Sequence, residues 1–176
     1  MKRHTKDGGV QKYGCAALRN LAGNADNQET IAKEGGIRVI LNAMKEHGSR
    51  VYVQEYGCGA LGNLAMNDDN KKTIAHEGGI KVILNAMKEH ESIGGVQKNG
   101  CAALQNLAAN DADNKKTIAK EGAIRVILSA MKRHTKDGGV QKYGCAALRN
   151  LAYINADTQK PIGTEDIKSS AVGNGI

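Results

Sequence analysis

The chain has 176 residues, the length of one ordinary domain, and its 25 Lys and Arg against 18 Asp and Glu give a formal net charge of +7. Hydrophobic residues make up 40%, but Phe and Trp are absent, so any core is built of aliphatic side chains, alanine and cysteine. No apolar run approaches the roughly 18 residues of a membrane span, and Met1-Lys2-Arg3-His4-Thr5-Lys6 lacks the apolar stretch of a signal peptide. A soluble intracellular protein, cytoplasmic or nuclear, is the expectation. The basic excess favours anionic partners, acidic protein segments or nucleic acid.

Residues 8–22 read as a helix. At about 100° per residue, Val10, Gly14, Ala17, Leu18 and Leu21 share one broad side, with Cys15 and Ala22 at its edge. Tyr13, Ala16 and Asn20 fall on the other side, flanked by Lys12 and Arg19. Asn24-Ala25-Asp26-Asn27 is a polar turn, with Asn27 the expected N-cap of a short helix over 28–34. Gly35-Gly36 breaks that helix. A second helix is expected from about Ile37 to Glu46, with Ile37, Ile40, Leu41 and Met44 on its apolar side. The loop His47-Gly48-Ser49 then leads to a long helix over about 50–65.

The stretch from Gly14 to Ala22 returns at 57–65, 100–108 and 144–152. Its asparagines, Asn20, Asn63, Asn106 and Asn150, stand 43, 43 and 44 residues apart. Self-similarity at a fixed period in this range marks an all-α solenoid, in which each unit packs on its neighbours. The expected organisation is a solenoid over 1–153. It comprises an orphan third helix (8–22) and three units over about 24–66, 67–109 and 110–153, the last with one extra residue in the loop Asn110 to Asn114. Residues 154–176 form a degenerate partial repeat and tail: Asn155 to Ile162 echoes Asn24 to Ile31, with Pro161 where Thr30 stood. Met1 shares the phase of Met44, Met87 and Met131, and Met1 to Ala22 is identical to Met131 to Ala152. The chain is therefore expected to be a piece of a longer array; the alternative is a complete but uncapped protein with an exposed apolar end, and self-association through such ends is expected.

A three-helix unit of about 43 residues reading Asn70-Lys71-Lys72-Thr73-Ile74-Ala75, then Gly78-Gly79-Ile80, Ile83-Leu84 and Gly100 to Ala108, resembles the armadillo repeat. The resemblance spans about 8–153. It implies a right-handed superhelix whose long third helices line a concave groove, where the asparagines hydrogen-bond the backbone of an extended peptide. Those positions are Asn20, Asn63, Asn106 and Asn150. An amide side chain offers a peptide unit both donor and acceptor. Nuclear-import adaptors of the family carry a tryptophan four residues earlier, whereas this chain has Ala16, Gly59, Ala102 and Ala146. Lys12, Arg19, Lys98, Lys142 and Arg149 flank the strip and repel basic cargo, so an acidic or neutral peptide suits it better, as in the beta-catenin-like branch. Tyr13, Tyr56 and Tyr143 lie one turn up the strip, with Asn99 in the third unit; they either meet ligand or fill space beside the preceding repeat. For the asparagines, the competing reading is a cap or a bond to a neighbouring loop.

The remaining candidates are weaker. His4, His47, His90 and His134 recur one repeat apart, too far to share an ion, and read as solvated loop residues. The four cysteines, Cys15, Cys58, Cys101 and Cys145, occupy one repeat position and read as small buried hydrophobes rather than disulfides or a zinc site. No cofactor is implied. Periodic copying argues against the unique constellation an enzyme needs. Two function classes remain: a non-catalytic scaffold for protein or peptide partners, and a basic solenoid binding nucleic acid through phosphate contacts. The identity of the first and last long helices argues against base reading by the second.

Overall fold

The polar turns of the sequence decide where the helices begin. In a computed structural model, which describes residues 1–152, Asp7 opens helix α1 (Gly8–Leu21) by accepting the Gly9 and Val10 N–H groups at 2.8 and 3.1 Å. Asn24 does the same for α2 (Ala25–Lys33), accepting from Asp26 and Asn27. This corrects the expected cap: Asn27 lies inside the helix, which starts three residues early. The Asn27 amide instead donates back to the Leu21 carbonyl at 3.1 Å, tying α2 to the end of α1.

Gly35 follows α2 with φ of 73°, a left-handed conformation in which a side chain would strain the backbone. It turns the chain into α3 (Gly36–Glu46), and α4 (Val51–Leu64) completes a group of three. The pattern repeats as α5 (Asp68–His76), α6 (Gly79–Glu89) and α7 (Gly94–Ala108), then as α8 (Ala112–Lys120), α9 (Ala123–Arg133) and α10 (Gly138–Ala152). Gly78 and Gly122 hold φ of 78° and 79° at the corresponding breaks. The extra residue before α8 is absorbed by Asn110, itself at φ 56°. The buried Lys71 donates to the Ala109 carbonyl at 3.0 Å and pairs with Asp68 at 2.6 Å. Among the described residues there is no strand, and no helix is long and apolar enough to cross a membrane.

The long helices α1, α4, α7 and α10 pack successively on one another; α3, α6 and α9 form a second layer, and α2, α5 and α8 a third. A central long helix is therefore covered on several sides at once. In α4 and at its C-cap, Cys58, Ala60, Leu61, Leu64 and Ala65 are all fully buried. In α1 the outcome differs from the expected apolar side: Cys15 and Ala22 are fully buried, whereas Ala17 is exposed and Leu21 is 52% exposed. The reason is neighbourhood, since the Ala17 and Leu21 side is the one α4, α7 and α10 each turn to a preceding long helix. The methionines set the angle between layers. Met44, Met87 and Met131 lie over Gly57, Gly100 and Gly144, where a Cβ would come within 2.7 Å of sulfur.

Two polar positions lock each unit. Gln54, Gln97 and Gln141 each reach back with Nε2 to two carbonyls at the end of the preceding helix; for Gln97 these are Met87 O at 2.9 Å and His90 O at 2.8 Å. Gln11 does the same to Met1 and His4 in the turn before α1. The first three occupy carbonyls that a helix end leaves without intrahelical partners. The histidines bridge units. His47 Nε2 meets the Thr5 carbonyl at 2.6 Å, His90 the Gly48 carbonyl at 2.7 Å and His134 the Glu91 carbonyl at 2.7 Å. The expectation of solvated loop histidines is corrected for these three, which are inter-repeat rungs, with His90 buried, whereas His4 is exposed as expected.

Candidate functional site

Three of the four ladder asparagines make the same contact. Asn63 Nδ2 donates to the Arg19 carbonyl at 2.8 Å, Asn106 to Gly62 at 2.9 Å and Asn150 to Gln105 at 3.0 Å. Each acceptor is the residue before the preceding asparagine, so one long helix is pinned to the next along its length. The contact is neither a cap nor a bond to a loop. It spends one of the two amide N–H groups and fixes the orientation of the side chain, which stays half-buried. No hydrogen bond within the described residues engages the side-chain oxygens of Asn63, Asn106 or Asn150. Asn20 has no such backbone partner; its oxygen lies 3.3 Å from Arg19 Nη2, which donates to it.

The aromatic and basic residues gather most densely where α1 meets α4. Lys12 Nζ sits 5.0 Å from the Tyr13 ring centroid and 4.5 Å from that of Tyr52. The Arg19 guanidinium covers Tyr56 at 4.8 Å, and the Tyr52 and Tyr56 rings stack with centroids 6.2 Å apart. Tyr13 and Tyr52 are 69% and 55% exposed, an uncommon presentation for rings in a chain this poor in aromatics. Gly59 makes room for the arrangement: a Cβ there would come 2.8 Å from Arg19 Cδ and 3.5 Å from Asn99 Nδ2. Lys12, Tyr13, Arg19 and Asn20 of α1 thus adjoin Tyr52, Tyr56 and Asn63 of α4. Tyr52 is the residue that periodic reading misses. Its counterparts Gly9, Gly95 and Gly139 carry no side chain, so a departure from the repeat was its only signal.

The other half of the strip is sparser. Tyr143 is half-buried and its own Lys142 lies 5.4 Å from its centroid. Asn99, in the tyrosine position of α7, donates to the Glu55 carbonyl at 3.0 Å, which places this position at the seam between units. Lys98 lays its stem on Gly139. Arg149 is exposed, and Glu55 stands in α4 where the other long helices have lysine, so the basic strip is interrupted.

The cysteine row points away from chemistry. Cys15, Cys58 and Cys101 are fully buried, and burial pushes their thiols up to about 12. Cys145, at the same repeat position of α10, is exposed, so the expectation of burial holds for three of the four.

The armadillo-repeat model described as the LRRK2 ARM repeat matches residues 33–153. Among solved structures, an engineered protein, Northeast Structural Genomics Consortium target OR329, superposes with a TM-score of 0.74 at 28% identity, covering 83% of this chain and 57% of that one. The designed armadillo repeat protein YIII(Dq.V1)4CPAF, solved in complex with the peptide (KR)4, gives a TM-score of 0.66 at 18% identity, covering 77% of this chain and 55% of that one. Protein aardvark of Dictyostelium discoideum is 50% identical over 27% of this chain and 7% of its own length. The chain thus spans little more than half of the engineered protein and a small part of the slime-mould relative. Ten helices in register among the described residues, with three left-handed glycine breaks there and a matching family model over most of the sequence, make the chain a member of the armadillo-repeat family.

Proposed function

We propose that the chain is a non-catalytic scaffold that grips an extended acidic or neutral peptide along its long helices. The observation that carries this reading is the cluster at the α1–α4 junction, where exposed tyrosine rings lie under cations beside pre-oriented amides. Rings and guanidinium offer anchoring surface of the kind that dominates peptide interfaces. Carboxylates on a bound segment pair with Lys12 and Arg19. The unspent N–H and oxygen of each ladder amide then meet peptide units without reading side chains. Family membership supports the scaffold role, and a designed armadillo repeat protein is solved with a peptide. That peptide is basic by its printed name; the cations here select the opposite charge.

The test is fluorescence anisotropy with a labelled peptide of alternating glutamate and tyrosine, set against a lysine–tyrosine counterpart. The acidic probe is expected to bind, and Arg19→Glu together with Tyr52→Ala to weaken it about tenfold or more, near 1.4 kcal/mol. Equal binding of both probes, or an unchanged affinity in the double variant, sinks the reading. Tighter binding to a random single-stranded DNA, lost steeply with salt, would transfer the cations to the phosphate-contact alternative.

A further inference from the structure

The lysine row of the open strip reverses sign once, in the interior of the stack. Lys12, Lys98 and Lys142 occupy one position of α1, α7 and α10, and Glu55 holds it in α4. A carboxylate flanked by lysine-bearing helices, in a chain of net charge +7, has cations to pair with on both sides. It takes neither: among the described residues Glu55 has no ion pair.

The reason is a common lean. Each residue of the row reaches toward the next long helix and settles over the second residue there. Lys12 stands over the Tyr52 ring at 4.5 Å. The Glu55 carboxylate covers Gly95, where a Cβ would come within 2.8 Å of both its oxygens. The Lys98 stem covers Gly139, where a Cβ would come 2.6 Å from its Cδ. Because all three lean the same way, the charges stay one helix apart instead of closing on each other. Two features hold Glu55 in place. Gly95 lies in the first turn of α7, whose N-cap, Ile93, makes no side-chain bond, and the helix dipole there favours a carboxylate. The Asn99 amide also donates to the Glu55 carbonyl at 3.0 Å, fixing the backbone beneath it.

We infer, on the footing of the peptide reading above, that Glu55 reads a basic side chain, so that the bound segment carries acid, base and acid opposite Lys12, Glu55 and Lys98. A segment acidic throughout sets a carboxylate against Glu55, and opposed like charges select against it. The spacing follows from geometry. A segment that meets one ladder amide per long helix crosses helices packed roughly 8–10 Å apart. Alternate residues of an extended chain share a face and lie about 6.7 Å apart. With long side chains covering the remainder, a two-residue step fits better than the four-residue step of about 13 Å. The recognised core is acid-x-base-x-acid, and its charge symmetry makes it independent of chain direction.

Fluorescence anisotropy at one salt concentration compares three labelled peptides on the full chain: Glu-Tyr-Lys-Tyr-Glu, Glu-Tyr-Glu-Tyr-Glu and Lys-Tyr-Glu-Tyr-Lys. The first should bind about fivefold more tightly than the second, the scale of one exposed ion pair, and the third should bind weakest. Glu55→Lys should keep its far-UV circular dichroism, because lysine already fills this position in three long helices, and should reverse the order of the first two peptides. Glu55→Gln should remove the preference for the first. A wild type that binds the second peptide as tightly as the first, or an order that Glu55→Lys leaves unmoved, overturns the inference. If Arg19→Glu still weakens the second peptide in that case, the peptide reading stands without it. Failure of all three peptides to bind overturns both.

Discussion

Replacing Gln97 with Met keeps side-chain length and apolar contact while removing two N–H donors from a site only 1% exposed. The two acceptors do not suffer equally. The His90 carbonyl keeps the Ile93 N–H at 3.0 Å. The Met87 carbonyl, in the last turn of α6, has no other donor outside the helix and is left buried without one. An orphaned buried carbonyl costs about 1–3 kcal/mol, and loss of the second bond about 0.5–1.5 kcal/mol. The sum is about 1.5–4.5 kcal/mol, a large share of the roughly 5–15 kcal/mol that holds a domain together. Urea denaturation followed at 222 nm on both proteins measures it. The midpoint should fall with the slope unchanged, because the surface exposed on unfolding hardly differs. A loss below about 0.5 kcal/mol, the scale of an ordinary surface substitution, would refute the claim that these glutamines lock the α6–α7 corner.

Gly78→Ala meets open space, yet its φ of 78° makes the change strained. A loss of about 1–2 kcal/mol in the same denaturation assay is expected. Asn106→Ala should lose about 1 kcal/mol of stability through its bond to the Gly62 carbonyl. Peptide binding by that variant has to be read on protein shown to be folded. A thiol reagent at neutral pH should modify Cys145 alone until the protein unfolds and all four cysteines react. Because burial raises the thiol pKa of Cys15, Cys58 and Cys101 to about 12 from 9.0, these groups favour the folded state below about pH 9. That contribution falls away between about pH 9 and pH 12 as the unfolded thiols ionise first. A pH series of denaturation midpoints should therefore decline across that alkaline window.

The solenoid was legible because its signals are periodic. Asparagines in register, glycine pairs and an apolar phase recur until chance is excluded, and the three breaks at Gly35, Gly78 and Gly122 sit where the sequence put them. What escaped has a physical reason in each case. Asn24 and Asn27 are both competent caps by residue type; Asn24 takes the cap and Asn27 reaches the Leu21 carbonyl from inside the helix. The histidines bind backbone carbonyls of Thr5, Gly48 and Glu91, partners whose side chains share nothing, so no pairing of residue types announces the contact. The glutamines escaped for the same reason. Tyr52 was hidden because a search for what repeats passes over what does not.

That last distinction separates two kinds of position in this chain. Gln11, Gln54, Gln97 and Gln141 are invariant along the array, as are the bridging histidines and the methionines over glycine, and all of them hold one element to the next. Positions on the open strip change from unit to unit. Lys12 gives way to Glu55 and returns as Lys98 and Lys142; Arg19 gives way to Gly62 and Gln105 before Arg149; Tyr13 and Tyr56 give way to Asn99 before Tyr143. A stack needs its contacts repeated, because every interface solves the same packing problem. A bound segment that differs along its length needs the reverse, a surface that differs with it. In this chain the rings and cations of the strip gather where α1 meets α4, beside amides whose orientation the stack itself has fixed. In the proposed peptide reading, the scaffold supplies the constant half of recognition, and the broken periodicity of the strip supplies the specific half.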